Sequence, residues 1–146
     1  MNKFLIISIV GICLYGCTHP PFSINYRDKN DRLQGKWRVY YPGTNQLYYK
    51  VRYKNSSPKG KMKYFYPNGS LYRKENYRDP LHVKTTFYYP NGKVELIGEA
   101  SIVTHGDTST YQWNGPWQKY DSLGNHIEEQ TYLRGNLIWV RKIKMP

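Results

Sequence analysis

Residues 60–69 read Gly60-Lys-Met-Lys-Tyr-Phe-Tyr-Pro-Asn-Gly69, and the phrase has an upstream copy, Gly35-Lys-Trp-Arg-Val-Tyr-Tyr-Pro-Gly43, and a downstream one, Val83-Lys-Thr-Thr-Phe-Tyr-Tyr-Pro-Asn-Gly92. Pro42, Pro67 and Pro90 stand 25 and 23 residues apart, the period of small stacked repeats. A fourth, degenerate copy is Gly115-Pro-Trp-Gln-Lys-Tyr-Asp-Ser-Leu-Gly124. Within a copy the residues before the proline alternate: Trp37, Val39 and Tyr41 on one side, Lys36, Arg38 and Tyr40 on the other. That is the period of a half-buried strand. Pro-Asn-Gly then reverses the chain, because proline fixes φ near −65°, Asn tolerates the left-handed region and Gly enters it without strain.

Working outward, each copy is followed by a segment fit to be the returning strand: Leu47–Tyr53, Leu71–Tyr77, Lys93–Glu99 and Asn125–Leu133, with Leu137–Ile143 closing the series. Sixteen tyrosines against four phenylalanines enrich the chain in strand formers. Past the N-terminal stretch, no segment carries apolar residues at helical spacing. The expectation is an all-β chain, an elongated antiparallel meander of hairpins over residues 33–146, with an insertion at about 99–114.

The spacing Gly-x-Trp-x-x-Tyr at Gly35, Trp37 and Tyr40 resembles the MORN repeat in its bacterial variant form. Gly60, Met62 and Phe65 match it with conservative changes, and Gly115, Trp117 and Tyr120 match its spacing fully. The likeness extends over about Gly35 to Asn136. It implies hairpins laid side by side in one long sheet, with motif glycines allowing close strand packing and motif aromatics in the core. Exposed Tyr48, Tyr72 and Tyr88 are expected to pair across strands. Bacterial relatives of the repeat are often labelled antitoxin components, which implies protein binding.

The N-terminus belongs to a different kind of signal. Lys3 precedes a nearly unbroken apolar run from Phe4 to Tyr15, long enough for a secretion signal and short of the ~20 residues that cross a bilayer. Leu14-Tyr15-Gly16-Cys17 resembles the bacterial lipobox, which implies cleavage after Gly16 and acylation of Cys17, with palmitate among the chains. Two or three such chains hold a protein to a membrane essentially permanently. Thr18, where Asp would retain the protein at the inner membrane, favours the outer membrane of the cell envelope. Residues 1–16 are thus expected as signal peptide and 17–32, with His19-Pro20-Pro21, as a flexible tether.

For catalysis the sequence offers little. His19, His82, His105 and His126 are scattered, and no two have metal-ligand spacing. His105-Gly106-Asp107 reads as a polar loop without a partnering nucleophile. Glu128 and Glu129 are strand neighbours facing opposite sides, so they cannot work as an acid–base couple. The expectation is a protein that is not an enzyme, without cofactor, metal site or catalytic residues.

Charge is the remaining signal, since 22 Lys and Arg against 10 Asp and Glu give a formal +12. Lys36, Arg38, Lys50, Arg52, Lys54, Lys59, Lys61, Lys63, Arg73, Lys74 and Arg78 crowd the first two copies, and Arg141, Lys142 and Lys144 form a second cluster. If Trp37, Val39, Met62 and Tyr64 are buried, Lys36, Arg38, Lys61 and Lys63 share the opposite, anion-binding face. In the cytosol, lysines among tyrosines would suggest single-stranded nucleic acid. Export argues against it and favours anionic lipid, lipopolysaccharide, cell-wall polymer or an acidic protein. The expected function is a lipid-anchored, non-catalytic binding or structural module. An envelope-polymer hydrolase and a protein-binding antitoxin-like or immunity-type factor are the alternatives.

Overall fold

Short-range chemistry sets the turns. In the second and third copies the amides of Gly69 and Gly92 donate to the Tyr66 and Tyr89 carbonyls, both at 2.9 Å. Asn68 and Asn91 side chains accept from the amides of Ser70 and Lys93, both at 3.0 Å. With φ of 83° and 84° at the two glycines, this is a three-residue hairpin loop closed by a left-handed residue. The first copy lacks the Asn and turns one residue later, the Tyr41 amide donating to Gln46 at 2.9 Å. In the fourth, Asp121 takes the role, its carboxylate accepting from the Leu123 and Asn125 amides, each at 2.9 Å.

The computed structural model describes residues 23–106 and 108–144. Among them are ten strands: β1 (Tyr26–Arg27), β2 (Leu33–Tyr40), β3 (Leu47–Lys54), β4 (Ser57–Phe65), β5 (Leu71–Tyr77), β6 (His82–Tyr88), β7 (Val94–His105), β8 (Thr108–Tyr120), β9 (His126–Leu133) and β10 (Asn136–Lys142). They form one sheet in sequence order, each strand antiparallel to the next. The described residues contain no helix. The expected antiparallel meander is therefore the fold.

Two devices recur with the repeat. Gly35, Gly60 and Gly115 hold φ of 71°, 68° and 70°, and each lies opposite a tyrosine: Tyr53, Tyr77 and Tyr132. Each glycine holds a backbone angle that other residues adopt only with strain. Val83, where the third copy has lost its glycine, lies opposite Tyr77 and Ala100 without a positive φ. The second device joins one copy to the next. The hydroxyl of the tyrosine before each proline donates to a backbone carbonyl in the following copy: Tyr41 to Phe65 at 2.7 Å, Tyr66 to Tyr88 at 3.0 Å, Tyr89 to Tyr120 at 2.9 Å.

One face of the sheet carries the core. Trp37 pairs with Val51, Met62 with Glu75, Glu75 with Thr85, and Thr85 with Gly98. The far half of the β7–β8 hairpin leans back over this face, bringing the Tyr111 hydroxyl to Thr85 Oγ1, two strands away. Beneath it Trp117 is 0 % exposed, packed with Val83 and Ala100 and ringed by Tyr77, Phe87, Leu96, Trp113 and Tyr132. Trp113 and Trp117 stack at 4.0 Å between ring centroids.

Several expectations change. Trp37 and Trp117 occupy equivalent positions with unequal burial, Trp37 being half-buried. Among the described residues Tyr53 at 6.0 Å and the Arg27 guanidinium at 5.7 Å meet its ring, and β1 offers two residues of cover where Trp117 has a folded-over hairpin. Tyr40 is 45 % exposed rather than core, since it follows a β-bulge and shares the face of Lys36 and Arg38. Phe65 and Tyr120, at the same place, are half-buried, whereas Met62 is buried. Residues 99–114 form the far half of the β7–β8 hairpin, regular antiparallel pairing from Glu99–Asn114 to His105–Thr108. The tether expected at 17–32 is structured over 23–32: β1 pairs with β2, and Asp28 accepts from the Asn30 and Arg32 amides at 2.9 and 3.1 Å. The signal segment 1–16, Cys17, His19 and Asp107 lie outside the described residues.

Candidate anion-binding face

On the side of the sheet opposite Trp37, Val51 and Met62, strand register stacks the cations. Arg38 lies opposite Lys50, Lys50 opposite Lys63, and Lys63 opposite Lys74, so four basic residues form a row across β2, β3, β4 and β5. Beside it Lys36 lies opposite Arg52, which faces Lys59 on β4, and Lys61 completes this second row. Like charges directly opposite one another destabilise a sheet by up to ~1 kcal/mol per pair. Five such pairs occur here: Lys36–Arg52, Arg38–Lys50, Lys50–Lys63, Lys63–Lys74 and Arg52–Lys59.

Among the described residues no acid relieves them. Asp28 is held by Arg32 at 2.8 Å and Asp31 by Arg27 at 3.0 Å, both away from the rows. Glu75 faces the core side, where it is 3 % exposed, taking a hydrogen bond from the Tyr77 hydroxyl at 2.9 Å and lying 3.3 Å from Arg73 Nε. Arg73 is in turn stacked 3.9 Å over the Tyr64 ring. Among the described residues, none of Lys36, Arg38, Lys50, Arg52, Lys61 and Lys63 forms an ion pair. Between the rows runs a groove of about 220 Å³, lined by these six side chains, with Trp37 and Val51 contributing to its floor.

All four residues expected on the basic face, Lys36, Arg38, Lys61 and Lys63, are brought together there. Lys50 and Arg52 complete the groove and Lys74 extends one row. Their signal lay in the returning strand, where Tyr49, Val51 and Tyr53 alternate with Lys50 and Arg52. Exposed Tyr48 and half-buried Tyr72 do pair with other rings, Tyr48 with Tyr41 at 5.0 Å and Tyr72 with Tyr66 at 5.0 Å. Tyr88 lies instead beneath the Lys74 ammonium at 5.7 Å.

The other titratable groups are dispersed. His82 pairs with Asp79 at 2.9 Å on the surface, and Glu129 pairs with Arg141 at 2.6 Å. The Tyr120 and His126 rings lie 5.1 Å apart. Among the described residues no group of three or more His, Cys, Asp or Glu could hold a metal ion. Burial raises the Tyr64 and Tyr77 hydroxyls well above the usual phenol range, with the Glu75 charge adding to it, and raises Tyr111 to about 12. These are the marks of a closed polar cluster under the β7–β8 hairpin.

Residues 58–79 and 81–99 match the family model described as MORN repeat variant. The two matched segments are β4–β5 and β6 with the first half of β7, each with its turn, and they contain the second and third copies of the phrase. No curated protein matches the chain, and no solved structure does.

Proposed function

We propose that this chain is a non-catalytic binding module of the bacterial cell envelope, anchored by acyl chains on Cys17 and engaging an anionic envelope component through the basic face of its first two repeats. The repeats supply a sheet stiff enough to hold a charge pattern. The observation that carries the reading is the set of five like-charge cross-strand pairs without acidic partners. A surface that served solubility alone would gain by interspersing acids, as β9 does with Glu128 and Glu129. Here repulsion is kept, and an anion bound against the face relieves it. Each basic residue near an anionic membrane surface contributes ~1 kcal/mol, so a membrane-held domain meets such a partner at short range. The outer membrane is favoured by Thr18 after the lipobox-like Leu14-Tyr15-Gly16-Cys17.

Two measurements test this. Intact-mass analysis of the native product reads the anchor: acylation beginning at Cys17 supports it, and an unmodified chain overturns it. Co-sedimentation with anionic and neutral vesicles at two salt concentrations reads the face. Binding to anionic vesicles alone, weakening as salt rises, is expected, because attraction between exposed charges is screened over ~8 Å at physiological ionic strength. Equal binding to both vesicle types removes the charge-based reading.

A further inference from the structure

Resting on that reading, the geometry points to a more definite ligand: we infer that the groove between the two cation rows holds an unbranched, phosphate-linked polyanion lying across β2, β3 and β4. A flat lipid surface would meet the basic face as a whole. The cations instead line both sides of a channel, Arg38, Lys50 and Lys63 on one bank and Lys36, Arg52 and Lys61 on the other. Strands lie ~4.8 Å apart, so the four-residue row from Arg38 to Lys74 spans three strand spacings, about 14 Å. Successive residues of one face along a strand are ~6.7 Å apart, which sets the distance between the banks at the width of a single extended chain.

Phosphate suits two banks better than carboxylate does. A phosphodiester shares one negative charge between two non-bridging oxygens on a tetrahedral centre, able to accept from donors on both sides at once. A carboxylate is planar and presents its oxygens to one. Arg38 and Arg52 stand on opposite banks, where each forked guanidinium can take an oxygen pair, while the lysines act as point charges between them. The groove floor, to which Trp37 and Val51 contribute, brings no acidic group to repel the chain. Recurrent charge on one ligand also explains why the cations recur at strand spacing rather than clustering about one point. Each phosphate neutralised adds to the affinity, so binding grows with chain length until the rows are filled.

The experiment uses the full chain in neutral detergent, titrated with inorganic phosphate, tripolyphosphate, long-chain polyphosphate and polygalacturonate, with the vesicle assay run alongside. Affinity rising at least tenfold from orthophosphate to the long chain is expected, with the carboxylate polymer of similar length at least tenfold weaker. The triple variants Arg38→Gln/Lys50→Gln/Lys63→Gln and Lys36→Gln/Arg52→Gln/Lys61→Gln should each lose at least tenfold. A variant removing three cations elsewhere, Arg134→Gln/Lys142→Gln/Lys144→Gln, should lose less than threefold. Equal loss in all three variants, no dependence on chain length, or equal binding of the carboxylate polymer overturns the inference. Vesicle binding without polyphosphate binding overturns it while leaving the broader reading standing, and loss of both removes the two together. Circular dichroism confirms that each variant keeps its sheet.

Discussion

Gly98 gives up its side chain to another residue. A methyl group built on it would lie 2.2 Å from the Trp117 ring, and that ring is fully buried with no room to retreat. Gly98→Ala should therefore cost ~1–3 kcal/mol, as overpacking does, and lower the thermal midpoint by several degrees. Truncating the ring itself, Trp117→Ala, should cost ~3–5 kcal/mol, and Trp37→Ala clearly less because Trp37 is only half-buried. Chemical denaturation of the three variants ranks them, and a Trp37→Ala loss equal to that of Trp117→Ala would contradict the unequal cover of the two repeats. Alkali probes the polar cluster beside this core. Tyr64, Tyr77 and Tyr111 have raised pKa values in the fold, so the neutral phenols are favoured there, and that contribution is present below the ordinary phenol pKa of ~10 and lost as pH rises through the folded values. Absorbance titration should show a group of phenols ionising late, with unfolding setting in above about pH 10 and advancing toward 12, the Tyr111 value.

At the scale of the element, the hairpin was legible because its determinants are local. Pro-Asn-Gly specifies the loop, alternation specifies the inner and outer faces, and the glycine at the head of each copy marks a backbone angle. What periodicity did not reveal is what depends on partners distant in sequence. The tyrosine before the proline looks like one more strand aromatic, yet its hydroxyl is the bond to the next copy. Tyr66→Phe should lower stability by ~0.5–1.5 kcal/mol and leave the Tyr88 carbonyl without that donor, while Tyr72→Phe, whose ring only stacks, should do little. Equal effects from both would argue that stacking, and not the hydroxyl, couples the copies. The far half of β7–β8 was hidden for a related reason. Its alternation is interrupted near Gly115, so it reads as an insertion, and it is the contact of Tyr111 with Thr85 and the stacking of Trp113 on Trp117 that explain why a long hairpin is kept.

Across the whole molecule, charge and core are sorted to opposite faces and to different ends. Trp117, Val83 and Ala100 gather toward the later strands, while the unpaired cations occupy β2 to β5, whose core side holds Val51, Met62 and Glu75. The N-terminal repeats are thus the weaker half, loaded with repulsion. Their stability should rise with salt in the low-ionic-strength range, opposite to a fold held by surface ion pairs, and hydrogen exchange resolved by repeat should place the gain in β2–β5. Composition announces the charge and residue order its alternation, but the register that sets Lys50 against both Arg38 and Lys63 is a property of three paired strands. The tyrosine relay has its own consequence for how such a protein changes over generations. Tyr41, Tyr66 and Tyr89 each hand a hydroxyl forward, and the fourth copy has Asp121 in that position, its carboxylate turned back on its own loop. A duplicated unit placed between two tyrosine-bearing copies inherits both a donor behind it and an acceptor ahead, whereas one appended after the fourth copy receives nothing. Lengthening from within keeps the relay whole, like a sentence lengthened before its full stop.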